Sequence, residues 1–303
     1  MLTGAKVKSS ESTGRDGIAF GVASRPRNDD YRLAVRVFAK PTAKVASAVE
    51  TLLRDVPDNE RDVAFDVKYA PRHSLKAGDS CGHYQITAGT LGGFVEDDSN
   101  YYILSNNHVL ANSKSVANSA AKVGDEIWEP GPLDVTNGHA VIANLSRWCD
   151  LDANDRMCLD AAVAEFSPAV TEFYAWSYEG IGQMAKTPIA NRFSTSRVIK
   201  RGRKTKVTKG AVSVYSLSGV SINYGSVAKP YVVTYDDQIE IVGTPASKPF
   251  SQPGDSGSFI LDADSLKPYA LLYGGGPDSQ GIDRTLAHFM PDVLTRLKVT
   301  IVQ

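Results

Sequence analysis

Cysteine is scarce in this sequence, long apolar runs are missing, and neither sign of charge prevails. Three cysteines, Cys81, Cys149 and Cys158, are too few for a disulfide framework, and an odd number leaves at least one free thiol. No stretch approaches the ~20 apolar residues that a membrane-crossing helix needs. The first seventeen residues are polar and lack the apolar core of a secretory leader. Together these absences predict a reducing, cytoplasmic setting, although a chain trimmed of a leader would read alike. A net charge of −1 excludes electrostatic binding of nucleic acid or an anionic membrane by the chain as a whole. Nothing in the residues asks for a metal or a cofactor.

What is present suits a globular protein. Of the 303 residues, 42% are hydrophobic and 22% charged, enough for a core in two or three folded units. Residues 1–28, rich in Ser, Gly, Lys and Arg, read as a loosely draped arm. Alternation from Tyr31 to Phe38 predicts a strand. Val45, Val49, Leu52, Leu53 and Val56 predict a helix opened by Pro41-Thr42 and stopped by Pro57, and Val63, Phe65 and Val67 predict a second strand. Strand, helix, strand makes a small βαβ module with no phosphate-binding glycine loop.

Pro71 to Ser80 reads as a linker, after which helical periodicity disappears until Pro291 to Lys298. Between them lie short strands separated by turn signals: 90–95, 101–104, 140–145, 159–166, 197–200, 211–215, 220–224, 231–234, 238–242, 259–261 and 269–273. Ala111 to Lys122 reads as a surface segment or short helix, and Ser167 to Asn191 as a connection between halves, part of it packed through Phe173, Tyr174 and Trp176. Evenly spaced short strands predict closed or sandwiched antiparallel sheet. The expected domains are 1–75 (arm and α/β module), 76–190 (first β-barrel) and 191–303 (second β-barrel with a C-terminal helix).

The chemistry centres on Pro253-Gly254-Asp255-Ser256-Gly257-Ser258. Glycines on both sides of a serine permit unusual backbone angles and close approach. Acyl transfer needs such a place, with an exposed hydroxyl and backbone N–H groups facing a developing oxyanion. The plain alternative is a tight turn entering a strand. A serine needs a general base, and the base an orienting acid. Of five histidines, His108 stands apart because it follows the apolar strand ending at Ser105 and precedes Val109-Leu110. Asp160 lies in Leu159-Asp160-Ala161-Ala162-Val163, where an unpartnered carboxylate would be costly. Alone, each has a bland reading: a structural histidine, and an aspartate facing water or backbone amides. The basic run Lys200-Arg201-Gly202-Arg203-Lys204-Thr205-Lys206 reads as a hairpin turn. It lacks the interleaved aromatics of a nucleic-acid surface.

In chain order the three residues run His108, Asp160, Ser256, the order of the chymotrypsin-type peptidases. Ser105-Asn106-Asn107-His108-Val109-Leu110 resembles the histidine motif of trypsin-like bacterial peptidases. Leu159-Asp160-Ala161-Ala162-Val163 resembles their aspartate strand, and Gly254-Asp255-Ser256-Gly257 their serine motif. The resemblance spans about Ser80 to Gln303, and it is nearest to a trypsin-like group that includes the plant narrow-leaf proteins and bacterial relatives. It implies a mainly β protein: a chymotrypsin-like double antiparallel β-barrel, two barrels of six-stranded type, with the small N-terminal βαβ module. It implies a serine endopeptidase with a His108-Asp160-Ser256 triad, an acyl-enzyme intermediate, and an oxyanion hole from the N–H groups of Gly254 and Ser256. Tyr273, Gly274 and Gly275 would pair with extended substrate. Phe250 would stand at the pocket floor and favour an uncharged substrate side chain, with Asp278 or Asp283 able to reach the pocket from the far wall. Ser258 departs from the glycine usual after the serine motif. Asp255 would be satisfied from within, by an Arg or Lys or by backbone amides, without proteolytic activation. The partners implied are protein or peptide substrates, with no membrane and no nucleic acid; homo-oligomerisation stays open. The first rival reading is a non-catalytic peptide-binding or regulatory protein on the same fold; the second is a nucleic-acid-associated factor working through the basic turn at 200–206.

Overall fold

A computed structural model describes residues 18–25, 28–37, 40–65, 73–86, 88–167 and 170–302. They fall into two compact units, Met1–Pro71 and Arg72–Gln303. In the first, strands Ile18–Arg25, Asn28–Val37 and Arg61–Ala64 form one sheet in that order. The helix Ala43–Leu52 connects the second strand to the third, which run parallel, so the βαβ pattern is present. Thr42 caps the helix by accepting from Val45 N–H, and Val35, Val37, Val49 and Leu53 make a small core. Residues 18–25 are not part of a draped arm. They add an antiparallel edge strand, whose alternation Ile18-Phe20-Val22 is diluted in sequence by Ala19, Gly21 and Ala23. The expected arm at 1–17, Phe38, Val67 and Pro71 lie outside the described residues.

The second unit is built on two large sheets, with three two-stranded pairs besides. One has eight strands in the order Thr300–Ile301, Gly93–Glu96, Tyr101–Ser105, Ala162–Phe166, Ala140–Trp148, Glu126–Glu129, Ser80–His83 and Gly89–Thr90. It is a half-barrel of eight strands where a six-stranded type was expected, and among the described residues its two outer strands do not pair with each other. The other sheet is a closed antiparallel barrel of Arg197–Gly202, Lys206–Leu217, Gln238–Gly243, Asp283–Phe289, Pro268–Pro277 and Phe259–Asp262. Inward residues alternate with half-buried ones along its strands, as at Ile239 and Ile241 around Glu240. Met290, Val293, Leu294 and Leu297, at helical spacing on Met290–Leu297, are buried with the core of the first sheet.

Several local readings are corrected. His73–Lys76 and Val170–Tyr174 are not linker; they pair with each other in parallel. Each gains its partner only from a distant stretch, so neither carries a strong local signal. Ala111 to Lys122 holds no helix; the short helix is Asn107–Leu110, just before it. The strand expected at 159–166 begins at Ala162, which leaves Asp160 outside the ladder. Asp283–Phe289 was not expected at all: its opening Asp-Arg-Thr is polar, and only barrel closure makes it a strand.

Candidate active site

The helix Asn107–Leu110 carries His108 at the end of strand Tyr101–Ser105. Buried asparagine side chains moor it on both sides. Asn106 Nδ2 donates to Asp160 O at 2.7 Å, and Asn107 Nδ2 donates to Cys149 O at 2.6 Å. The helix start therefore faces the Asp160 loop. Asp160 is fully buried; its Oδ1 accepts His108 N–H at 3.0 Å and its Oδ2 meets His108 Nδ1 at 2.5 Å. Burial alone would push this carboxyl up, but the facing His108 ring and N–H hold it below its ordinary value.

Two residues that sequence reasoning missed complete this environment. Tyr224 OH donates to Asp160 Oδ2 at 2.8 Å and meets Tyr235 OH at 2.8 Å. His288 Nε2 accepts Asp160 N–H at 2.9 Å, while its ring stacks on Tyr273 with centroids 4.1 Å apart. Burial lowers the His288 pKa to about 4, so the ring is neutral near pH 7 and carries its proton on Nδ1. No local pattern marked either residue; only their position in the second half, folded onto Asp160, reveals them.

Ser256 sits in the loop before strand Phe259–Asp262. Gly254 and Gly257 have φ of +103° and +93°, which explains the glycine bracket. A Cβ on Gly257 would also lie 2.0 Å from Ser105 Oγ. Thr90 stitches this loop to the first half: its N–H donates to Ser256 O at 2.8 Å and its hydroxyl to Gly254 O at 2.9 Å. Ser105, three residues before His108, donates its hydroxyl to Thr90 O at 2.8 Å. Ser256 is thus tied toward the His108 helix through Thr90, and toward Asp160 through Tyr273 and His288. Its hydroxyl donates to Tyr273 O at 3.4 Å; among the described residues no hydrogen bond joins Ser256 to His108.

Asp255, buried behind the serine, takes its donors from within. Its Oδ1 accepts from Lys204 N at 2.9 Å and Thr205 N at 3.1 Å. Its Oδ2 accepts from Thr205 Oγ1 at 2.7 Å, Gln252 N at 3.0 Å and Lys200 Nζ at 3.3 Å. Burial opposes its ionisation, but Lys200 and these donors outweigh it and hold the carboxyl below its ordinary value. Gly202 makes the approach feasible, since a Cβ there would lie 2.4 Å from Asp255 Oδ1. The basic run is therefore largely spent internally: Arg201 pairs with Glu179 at 2.7 Å, and Arg203 with Asp134 at 2.5 Å.

A cavity of about 510 Å³ opens beside Ser256, with Gly274 and Gly275 in its wall. Phe250 does not line it. Its ring is fully buried in the barrel core with Val198, Ile241 and Ile260, under Lys200, so the reading of Phe250 as pocket floor is corrected. The Tyr273 ring is likewise turned inward, onto His288, and only its backbone faces the serine. Of the two carboxylates in question, Asp283 lines the cavity and Asp278 does not; Asp278 is held by Arg284 at 2.9 Å. Strand Phe259–Asp262 pairs only as far as Leu271. The outer edge of 273–276 consequently has no strand partner among the described residues. No group of described residues could hold a metal ion, and no described helix is long and apolar enough to cross a membrane.

No family model and no curated protein matches this chain. Solved structures do. A glutamic-acid-specific serine protease that uses a histidine triad in substrate binding aligns at 14% identity and a TM-score of 0.50, covering 75% of this chain and all of its own. Thermobifida fusca protease A aligns at 12% identity and 0.49, and Cellulomonas bogoriensis chymotrypsin at 12% and 0.47; each covers 76% of this chain, and they are matched over 100% and 99% of their own lengths. At such identity the likeness speaks for the fold. With its closed six-stranded barrel, its half-barrel and this match, the chain has the double β-barrel fold of the chymotrypsin-like serine proteases.

Proposed function

We propose that the protein is a serine endopeptidase, and that His108, Asp160 and Ser256 are its catalytic residues. The observation that carries the reading is the buried Asp160 carboxylate bonded to both the ring and the N–H of His108. With Nδ1 held in this way, the other ring nitrogen is free to act as a base. In this reading the Ser256 hydroxyl leaves Tyr273 O and bonds to His108 Nε2. The oxygen attacks the substrate carbonyl carbon, its proton passes to His108, and the oxyanion meets the N–H groups of Gly254 and Ser256. His108 then gives the proton to the leaving amine, and water repeats the sequence on the acyl-enzyme. The unpaired edge at 273–276 supports capture of an extended peptide by backbone pairing. Three buried, unpaired thiols support a reducing, cytoplasmic setting. The narrower likeness to the narrow-leaf group rests on the three motifs and on the small module that precedes the double barrel in sequence.

A fluorophosphonate probe tests the reading. The full chain labels at Ser256, and Ser256→Ala and His108→Ala each abolish the adduct by intact mass. Labelling that survives Ser256→Ala refutes it; absence of labelling in the parent chain favours a non-catalytic peptide binder.

A further inference from the structure

We infer that the cavity beside Ser256 selects a cationic side chain, Lys or Arg, through Asp283; this rests on Ser256 being the nucleophile. Asp283 opens strand Asp283–Phe289 and lines the same cavity as Ser256, together with Ser251, Leu272, Gly274 and Pro277. Its carboxylate is braced from behind. Oδ2 accepts from Ser251 N at 3.3 Å and from Thr285 Oγ1 at 2.9 Å, and Thr285 Oγ1 is itself 2.7 Å from Ser251 Oγ. Ser251 and Thr285 are buried, while Asp283 is only half-buried, so the brace lies inside and the acid faces the opening. Among the described residues no donor reaches Oδ1, and that oxygen remains for a ligand.

The cations nearby are bonded to other carboxylates. Lys200 is buried and feels the Asp283 charge, but makes its ion pair with Asp255 at 3.3 Å. Arg284, next along the strand, is committed to Asp278 at 2.9 Å and Glu240 at 3.3 Å. None of the residues lining the cavity is Lys, Arg or His. A carboxylate side chain entering here meets an acid with no cation in the cavity wall. An apolar side chain strips water from that acid without replacing its hydrogen bonds, which is costly. A long cation with a polar tip does neither, and the open wall at Gly276, where a Cβ would touch nothing, gives its stem room. The expectation of an uncharged preference rested on Phe250 as the floor; Phe250 lies outside the cavity lining and Asp283 lies within it.

The test measures kcat/KM on matched fluorogenic peptides bearing Lys, Arg, Leu or Glu on the acyl side. The parent chain is expected to cleave Lys and Arg at least about a hundredfold better than Leu, and Glu worst. In Asp283→Asn, which keeps an acceptor for Ser251 and Thr285, the Lys-to-Leu ratio is expected to fall by about a hundredfold. A parent preference for Leu or Glu, or a ratio unchanged by Asp283→Asn, overturns the inference. Binding of benzamidine to Ser256→Ala reads the cavity without chemistry. Affinity that drops at least about tenfold in Ser256→Ala/Asp283→Asn upholds the cationic site even if probe labelling fails and the peptidase reading falls. Should cleavage fail and benzamidine not bind, the inference falls as well.

Discussion

Replacing Lys200 by Met tests how the serine loop is held. Lys200 and Asp255 are both fully buried, and Lys200 Nζ lies 3.3 Å from Asp255 Oδ2 and 2.5 Å from Thr205 Oγ1. The substitution keeps an unbranched stem of similar volume and removes the charge. Asp255 is left with four neutral donors: the N–H groups of Lys204, Thr205 and Gln252, and the Thr205 hydroxyl. Breaking a buried pair costs about 3–5 kcal/mol; four remaining donors put the expected cost near the lower figure. Since Asp255 directly precedes Ser256, probe labelling of Ser256 is also expected to slow. The pH dependence has a definite sign. The folded Asp255 carboxyl lies below its ordinary 3.8, so its stabilisation is full above that pH and lost as pH falls through the folded value. Without Lys200 a main cause of the depression is gone, the loss begins at higher pH, and the gap between parent and variant narrows in acid. Urea unfolding at pH 7 and pH 3 measures both effects. Lys200→Met/Asp255→Asn removes both charges and is expected to recover much of the loss, with a coupling of at least about 2 kcal/mol. A single-variant cost below about 1 kcal/mol, or additive behaviour in the double variant, would refute the reasoning.

His288 has a folded pKa of about 4 against an ordinary 6.5, so its contribution is full above pH 6.5 and lost as pH falls toward 4, on the order of 3 kcal/mol over the window. His288→Gln, which keeps an acceptor for Asp160 N–H, is expected to flatten the stability profile between those pH values in urea titrations; a profile as steep as the parent's would assign the slope to another group. Tyr224→Phe deletes one hydrogen bond to the Asp160 carboxylate and is expected to lower kcat about tenfold with KM little changed, because it positions the acid and touches no substrate; an unchanged kcat would deny it that role. Because Asp255 is satisfied internally, the intact 303-residue chain is expected to label at Ser256 without proteolysis, checked by intact mass before and after the probe; labelling seen only after removal of residues 1–71 would contradict this.

Much of the fold was legible because short strands with turn signals leave a local trace. Strand 238–242 in sequence is Gln238–Gly243 in the molecule, and the helix read at 291–298 is Met290–Leu297. The traces failed where a segment becomes a strand only through a remote partner. His73–Lys76 pairs with Val170–Tyr174, and Asp283–Phe289 is held between two strands of the closed barrel. Phe250 misled because it stands six residues before Ser256, where the resemblance puts the pocket floor. The ring instead packs against Val198 and Ile260, and the wall passes to Ser251 and Asp283.

The order of His108, Asp160 and Ser256, and the glycine bracket with φ of +103° and +93°, belong to the sequence by itself, because backbone permission and residue chemistry are local properties. The partners of the buried charges belong to the tertiary structure. Lys200 meets Asp255 across 55 residues, Tyr224 meets Asp160 across 64, and His288 meets Asp160 across 128. A buried carboxylate must find donors or remain costly, and that requirement is written in its burial. Which donor answers it depends on how the barrel closes and how the two halves lie against each other, and no neighbouring residue carries that information.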